Sequence, residues 1–175
     1  MPRFFIATFA LAVGLAVPAV ARAETLAGKV VSVQSGDTLV VKSPDNKEYR
    51  VRLIAIDAPE LKQAYGDKAK AALSDLVLNK EVRVETNSKD QYDRPLGVLL
   101  LGERNINREL VEEGWAWQFT RYDNSVELRE AQERAKAAKK GLWADPNPIS
   151  PWDFRKAERD GKPAEANEKK PANPN

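Results

Sequence analysis

Val51-Arg52-Leu53-Ile54-Ala55-Ile56-Asp57-Ala58-Pro59-Glu60, "VRLIAIDAPE", is an apolar run with an arginine inside it and two carboxylates at its end. It completes a segment, 47–56, in which Tyr49, Val51, Leu53 and Ala55 share one face and Arg50, Arg52 and Ile54 the other. That period of two predicts a half-buried strand. Asp57-Ala58-Pro59-Glu60 has the spacing of a helix capping box, with proline two residues after the cap. Helical periodicity, however, begins only at Ala69, and capping does not account for Arg52. Taken singly, Arg52 reads as an outward, solvated side chain of a strand.

Outward from this stretch the chain alternates short strands and tight turns. Residues 25–43 read as two strands joined by Ser35-Gly36-Asp37, and Pro44-Asp45-Asn46 makes a second turn. Ala69, Ala72, Leu73, Leu76 and Val77 then follow helical spacing, closed by Asn79-Lys80. Residues 81–86 and 95–101 read as two further strands. A short helix is expected over 105–113, stopped by Gly114. Asn124 to Glu127 has capping-box spacing and opens a helix to Lys140, with Gly141 at its end. Five strands in a row of hairpins, one helix after the third and two at the end, predict an α+β domain. A five-stranded OB-type β-barrel with three helices fits this order.

The ends read differently. Arg3, an uncharged apolar stretch 4–20 and the small residues of Ala21-Arg22-Ala23 predict a cleaved signal peptide over 1–23 and hence an exported protein, periplasmic or secreted. No stable membrane association is expected after cleavage. The folded domain is assigned to 24–155, and the polar, Pro-containing stretch 156–175 is read as a disordered tail. The chain carries 28 basic and 26 acidic residues; without Arg3 and Arg22 the basic count falls to 26 and the net charge vanishes. Any attraction to a polyanion must then come from a local patch.

There is no cysteine and no histidine. This excludes disulfides, Cys/His zinc sites, thiol nucleophiles and an imidazole base. Chemistry is left to carboxylates, arginine, lysine, tyrosine and a hard cation bound through oxygen. Asp37 and Asp57 end adjacent strand segments and are candidate cation ligands, although a turn aspartate such as Asp37 is most often structural. Hydrolysis of a phosphodiester also needs positive charge on the phosphoryl oxygens, for which Arg52 and Arg94 are candidates, and a group to position water, for which Glu60 is available.

"SGDT", "VRLIAIDAPE", "YGDKAKAAL", "DQYDRPLG" and "GLWADPNPISPW" occur in the order and rough spacing of the thermonuclease, or staphylococcal nuclease-like, family, and the chain resembles it over 24–155. The resemblance implies a Ca²⁺-dependent phosphodiesterase on an OB-type barrel. It would act on DNA and RNA, with single strands preferred, and leave 3′-phosphate ends. Asp37 and Asp57 match the carboxylate Ca²⁺ ligands, and Ala58 falls where the family uses a main-chain carbonyl. Arg52 and Arg94 match the phosphate-binding arginines, Glu60 the glutamate usually taken as general base, and Tyr92 a tyrosine near the nucleotide phosphate. Tyr92-Asp93-Arg94 departs from the family pattern by placing a carboxylate where a glycine is usual, which makes the orientation of Arg94 a question for the structure. Trp117, Phe119 and Tyr122 are candidates for stacking on bases; core packing of this Trp-rich segment is the competing reading and leads. Trp143 and Trp152 are expected to hold the C-terminal segment on the barrel. A monomer is the default. The alternative function is a non-catalytic nucleic-acid-binding module on the same fold.

Overall fold

The computed structural model describes residues 24–121 and 124–163, apart from the side chain of Asn87. The expected signal peptide and most of the expected tail, 164–175, lie outside the described residues, as does Tyr122. In chain order the elements are β1 (Glu24–Ser35), β2 (Thr38–Lys42), β3 (Glu48–Leu53), β4 (Ile56–Asp57), α1 (Gly66–Val77), β5 (Glu81–Lys89) and β6 (Pro95–Leu101). These are followed by β7 (Arg104–Asn105), α2 (Ile106–Glu112), β8 (Trp117–Gln118), α3 (Val126–Ala137), a 3₁₀ turn (Gly141–Ala144) and α4 (Pro151–Asp160).

β1 is long enough to serve two neighbours. Its first half pairs antiparallel with β5, Glu24 opposite Thr86 through Lys29 opposite Glu81, and its second half with β2, Lys29 opposite Lys42 through Ser35 opposite Thr38. Register shifts after Val30 and Val33 bend it between the two. Gly28 stands at the corner, where a Cβ would lie 2.3 Å from the Lys42 carbonyl oxygen. β2 continues into β3 and β5 into β6, both antiparallel, and β3 pairs parallel with β6 through Arg52–Leu96 and Leu53–Gly97. That last pairing closes the sheet into the expected five-stranded barrel.

The period of two fills the barrel. Val30, Leu39, Val41, Val51, Leu53, Val84 and Leu99 are buried on its inner face. α1 closes the barrel with Ala69, Leu73 and Val77, spaced four apart on one side of the helix. It begins at Gly66, earlier than Ala69, because the turns before it (Gln63 N–H to the Glu60 carbonyl, Gly66 N–H to the Gln63 carbonyl) already wind the chain toward a helix. α2 buries Ile106, Leu110 and Val111, and α3 buries Leu128, Ala131 and Ala135. α3 is capped by the Ser125 side chain, which accepts from the Leu128 N–H, one residue after the Asn124 cap expected from spacing.

Two further departures bear on the site. β3 ends at Leu53 rather than Ile56, because Ala55 adopts a left-handed conformation (φ 66°) that redirects the chain. The Ile54 N–H donates to the Gly97 carbonyl, and the Ala55 carbonyl accepts from the Phe119 N–H, so the turn is held on both sides. The C-terminal boundary also moves: a fourth helix, α4, runs to Asp160 across the expected end at Arg155. Ser150 caps it, Pro151 occupies its first turn and Gly161 closes it in the left-handed region. Its residues after Pro151 are half-buried or exposed, so it lacks the apolar stripe that would have marked it. No helix among the described residues is long and apolar enough to cross a membrane.

Asn107, on α2, ties the barrel seam together. Its amide donates to the carbonyls of Ile54 (2.9 Å) and Gly97 (3.2 Å), and its carbonyl accepts from the Leu99 N–H (3.0 Å). The side chain is buried, so its removal strands main-chain groups away from water. Asn107→Ala is expected to lower the unfolding free energy by about 2–4 kcal/mol in urea denaturation. A loss below about 1 kcal/mol would show that the seam does not depend on it.

Candidate active site

The β1–β2 turn, the β3–β4 link and the loop after β4 meet beside the barrel seam. Asp37, in the turn, is 6% exposed. Its Oδ1 accepts from the hydroxyls of Ser35 (2.9 Å) and Thr38 (3.0 Å), and its Oδ2 from the Ala58 N–H (2.8 Å). Asp57, on β4, is 1% exposed. Arg52 projects between them from β3: its Nη2 lies 3.2 Å from Asp37 Oδ2 and 2.9 Å from Asp57 Oδ1. Its Nη1 donates to the carbonyls of Leu53 (2.8 Å) and Ile56 (3.0 Å). Arg52 is therefore not the solvated strand side chain it resembles singly, and Asp57 caps no helix. The amide of Ala58 is held by Asp37 instead.

Glu60 follows on the loop, with its N–H donating to the side chain of Gln63 (3.2 Å). Gly66 passes so close that a Cβ there would lie 2.0 Å from the Glu60 carbonyl oxygen. The Glu60 carboxylate is held by a residue given no role by sequence reasoning. Arg155, on α4, donates from Nη1 to Glu60 Oε1 (2.7 Å) and Asp57 Oδ1 (3.2 Å), and from Nη2 to Asp57 Oδ2 (2.7 Å). Burial would push its guanidinium pKa down, but Asp57 and Glu60 together raise it above its ordinary value. Asp57 moves the other way from a usual ion-paired carboxylate. Burial, with Asp37 nearby, pushes its pKa up, and Arg155 and Arg52 offset only part of that.

Arg94 arrives from the β5–β6 hairpin. Its Nε and Nη2 both lie 2.6 Å from Asp90 Oδ2, while Asp90 Oδ1 accepts from the N–H groups of Tyr92 (2.9 Å) and Arg94 (3.0 Å). Burial pushes Asp90 up, but these hydrogen bonds and the guanidinium hold it below its ordinary pKa. Asp93, the departure in "YDR", takes φ 60°, the conformation a glycine would supply. Its side chain turns outward to Lys89 (2.8 Å). The carboxylate that orients Arg94 is thus Asp90, and Asp93 does not compete for it. The Arg94 guanidinium also stands 5.4 Å from the centre of the exposed Tyr92 ring.

These groups share one open cleft of about 840 Å³, lined among others by Asp37, Arg52, Asp57, Glu60, Arg94 and Arg155. Tyr92 and Phe119 line it too, and Arg50, Arg121 and Arg159 add positive charge to its walls. The aromatic candidates divide. Trp117 packs edge-on against Trp143 (4.4 Å between ring centres) and Trp152 (5.5 Å), away from the cleft lining. Phe119 stacks on Trp152 (5.7 Å) with the cleft beside it. Trp143 and Trp152 thereby fasten the C-terminal segment to the barrel.

The family model described as "Staphylococcal nuclease homologue" matches residues 50–145. The chain belongs to this family. It is 46% identical over 131 residues to a Haemophilus influenzae protein named "Uncharacterized endonuclease", covering 75% of this chain and 74% of that one. It is 38% identical over 143 residues to a "Micrococcal nuclease" of Shigella flexneri, covering 75% and 82%. It is also 34% identical over 134 residues to a "Probable staphylococcal-like nuclease CAN2" of Oryza sativa subsp. japonica, where the match covers 77% of this chain but 35% of the rice protein. The family match ends at residue 145, so neither α4 nor Arg155 falls inside it.

The donors fit a hard cation. Both buried aspartates present oxygen to one point on Arg52, and burial, with Asp37 nearby, raises the pKa of Asp57 by more than the two arginines lower it. No group of three or more Asp, Glu, His or Cys side chains among the described residues encloses a metal ion. Two carboxylates would therefore provide a partial shell, to be completed by main-chain, water or phosphate oxygen. Arg155 and Asp90 were the residues missed. For Asp90 there was a signal, an aspartate opening a turn whose side chain can bond amides two residues on; for Arg155 there was none.

If Asp90 rather than Asp93 organises the hairpin, the two respond differently to substitution. Asp90→Ala is expected to cost about 1–3 kcal/mol and to speed exchange of the Tyr92 and Arg94 amides. Asp93→Gly removes an exposed ion pair and relieves a left-handed non-glycine residue, leaving stability within about 1 kcal/mol of wild type in the same denaturation assay.

Proposed function

We propose that this chain is an exported, Ca²⁺-dependent nuclease that hydrolyses phosphodiester bonds of DNA and RNA and leaves 3′-phosphate ends. The observation that carries the reading is the convergence of Asp37, Arg52, Asp57, Glu60 and Arg94 on one cleft in a member of a nuclease family. In this reading residues 1–23 are a signal peptide, the mature chain works as a monomer, and single strands enter the open cleft most readily.

Asp37 and Asp57 would hold the cation, which when bound neutralises charge on the scissile phosphate. Arg52 and Arg94 approach the same cleft from the barrel seam and the hairpin, and together they can carry the charge that develops on the phosphoryl oxygens. The Glu60 side chain is 40% exposed, accessible enough to hold a water and accept its proton. The 5′-oxygen is the leaving group.

The test is cleavage of single- and double-stranded DNA and RNA with Ca²⁺, with Mg²⁺ and with chelator. Ca²⁺-stimulated cleavage that chelator abolishes is expected, with single strands cut fastest and 3′-phosphate ends on the products. Absence of that stimulation in folded protein sinks the reading. Glu60→Gln should lower kcat by roughly 10²–10⁴ while binding of an oligonucleotide changes little. A binding module would show no turnover to lose.

Acidification gives an independent check. The raised pKa of Asp57 means that the folded, cation-free chain holds this proton more tightly than the unfolded chain does. The resulting stabilisation is present below the unfolded pKa and is lost as pH rises through the folded one. Proton and cation then compete for the same carboxylate. Cleavage should fall as pH drops through that raised pKa, and higher Ca²⁺ should move the acid limb to lower pH. An acid limb indifferent to Ca²⁺ concentration would contradict the assignment of Asp57 as a ligand.

A further inference from the structure

Arg155 lies outside the matched family segment, yet it takes hold of both oxygens of Asp57 and one of Glu60. Its situation differs from that of Arg52. Arg52 is tied to two main-chain carbonyls as well as to both aspartates, and its side chain is 17% exposed. The hydrogen bonds of Arg155 run to carboxylates, and its side chain is 36% exposed. One guanidinium is built into the barrel seam; the other lines the cleft on a half-buried side chain and can leave by rotating its own torsions.

The helix that carries Arg155 does not depend on those contacts. Gln63 donates to the Ile149 carbonyl (2.6 Å), Ser150 caps the first turn, and Trp152 packs on Trp117 and Phe119. α4 would stay docked if the arginine let go. Glu158 and Arg159, three and four residues on, line the same cleft, so the helix face offers the released guanidinium a polar surface rather than a core.

Charge explains why the contact forms and why it would yield. Asp37, Asp57 and Glu60 bring three negative charges, two of them buried, and Arg52 alone leaves them under-compensated. Arg155 supplies a second positive charge through the bidentate geometry that suits a carboxylate. A divalent cation on Asp57 would meet that guanidinium as a like charge, and Asp57 Oδ1 already accepts from both arginines.

We propose that Arg155 is a placeholder for the cation: it neutralises Asp57 and Glu60 in the cation-free chain, competes with Ca²⁺ for Asp57, and leaves that residue when Ca²⁺ binds. The proposal rests on the reading of Asp37 and Asp57 as Ca²⁺ ligands. It makes α4 a part of the site that sets how much Ca²⁺ the protein needs, and it prevents the buried carboxylates from standing uncompensated before the cation arrives.

The experiment is calorimetric titration of the full chain with Ca²⁺ for wild type, Arg155→Gln and Arg155→Lys, alongside thermal melts in chelator and in saturating Ca²⁺. Arg155→Gln keeps a hydrogen-bonding side chain but removes the charge, and is expected to bind Ca²⁺ roughly tenfold to a hundredfold more tightly than wild type. It should melt below wild type in chelator, with the gap closing in Ca²⁺. Arg155→Lys, which keeps the charge, should stay close to wild type in affinity. Binding by wild type and Arg155→Gln with equal affinity, or weaker binding by the variant, overturns the placeholder while leaving the Ca²⁺ site intact. No Ca²⁺ binding by either protein, both folded by circular dichroism, overturns the Ca²⁺ reading itself and the placeholder with it.

Discussion

Arg52 holds two buried carboxylates and two main-chain carbonyls at once, and the local geometry of the site follows from that grip. Asp37 comes from the β1–β2 turn, Asp57 from β4, and the carbonyls of Leu53 and Ile56 from the two ends of the link between β3 and β4. Four groups on three pieces of chain, the β1–β2 turn, the end of β3 and β4, are fixed to a single planar group. Arg52 is also one of the two residues through which β3 pairs with β6. The seam that closes the barrel and the centre of the cleft therefore share a residue, and Asn107 braces the same seam from α2.

Such an arrangement is a poor way to gain stability. Burying charge is costly, and a well-packed apolar cluster in the same volume would often serve the fold as well or better. The barrel has that kind of packing a few residues away, in Leu39, Val51, Leu53 and Leu99. The carboxylates at 37, 57 and 60 sit instead along the cleft, where burial raises the pKa of Asp57 and the two arginines offset only part of that. The orientation of Asp37 and Asp57 comes from neighbours that leave other oxygen positions facing the cleft under the proposed cation-binding role: the Ser35 and Thr38 hydroxyls, the Ala58 amide and Arg52.

The barrel was legible because each of its strands has one buried face. The alternation in 47–53 and the apolar run Pro95–Leu101 could be placed from pattern alone, as could the helix bearing Leu73 and Val77. Legibility failed where tertiary contacts rather than periodicity decide the conformation. Ile54 and Ala55 continue the strand pattern, yet hydrogen bonds to Gly97 and from Phe119 break it. Asp57 to Glu60 imitates a helix cap because a capping box and a pair of carboxylates lining a cleft can use the same spacing. α4 has almost no apolar stripe, since its inner face carries Trp152 and then charged residues directed at the cleft. A helix whose partners are carboxylates leaves little trace in a hydrophobic pattern. Arg155 went unseen for that reason: its partners lie 98 and 95 residues away.

Three of the arginines that line the cleft accordingly stand on supports that can be perturbed separately. Arg52 belongs to the barrel seam, Arg94 to a hairpin organised by Asp90, and Arg155 to a helix held by Trp152 and the Ser150 cap. Asp93 illustrates the value of that separation. A carboxylate beside Arg94 would be disruptive if the hairpin were free to choose its ion pair. Asp90 already occupies Arg94 from the side chain and from the backbone, and the left-handed turn points Asp93 toward Lys89. The glycine conformation is kept without the glycine, at the modest cost of one non-glycine residue at positive φ. Substitution in the hairpin can therefore proceed without disturbing Asp37 or Asp57, because among the described residues the hydrogen bonds and ion pair of Arg94 run to Asp90, not to the residues that Arg52 holds.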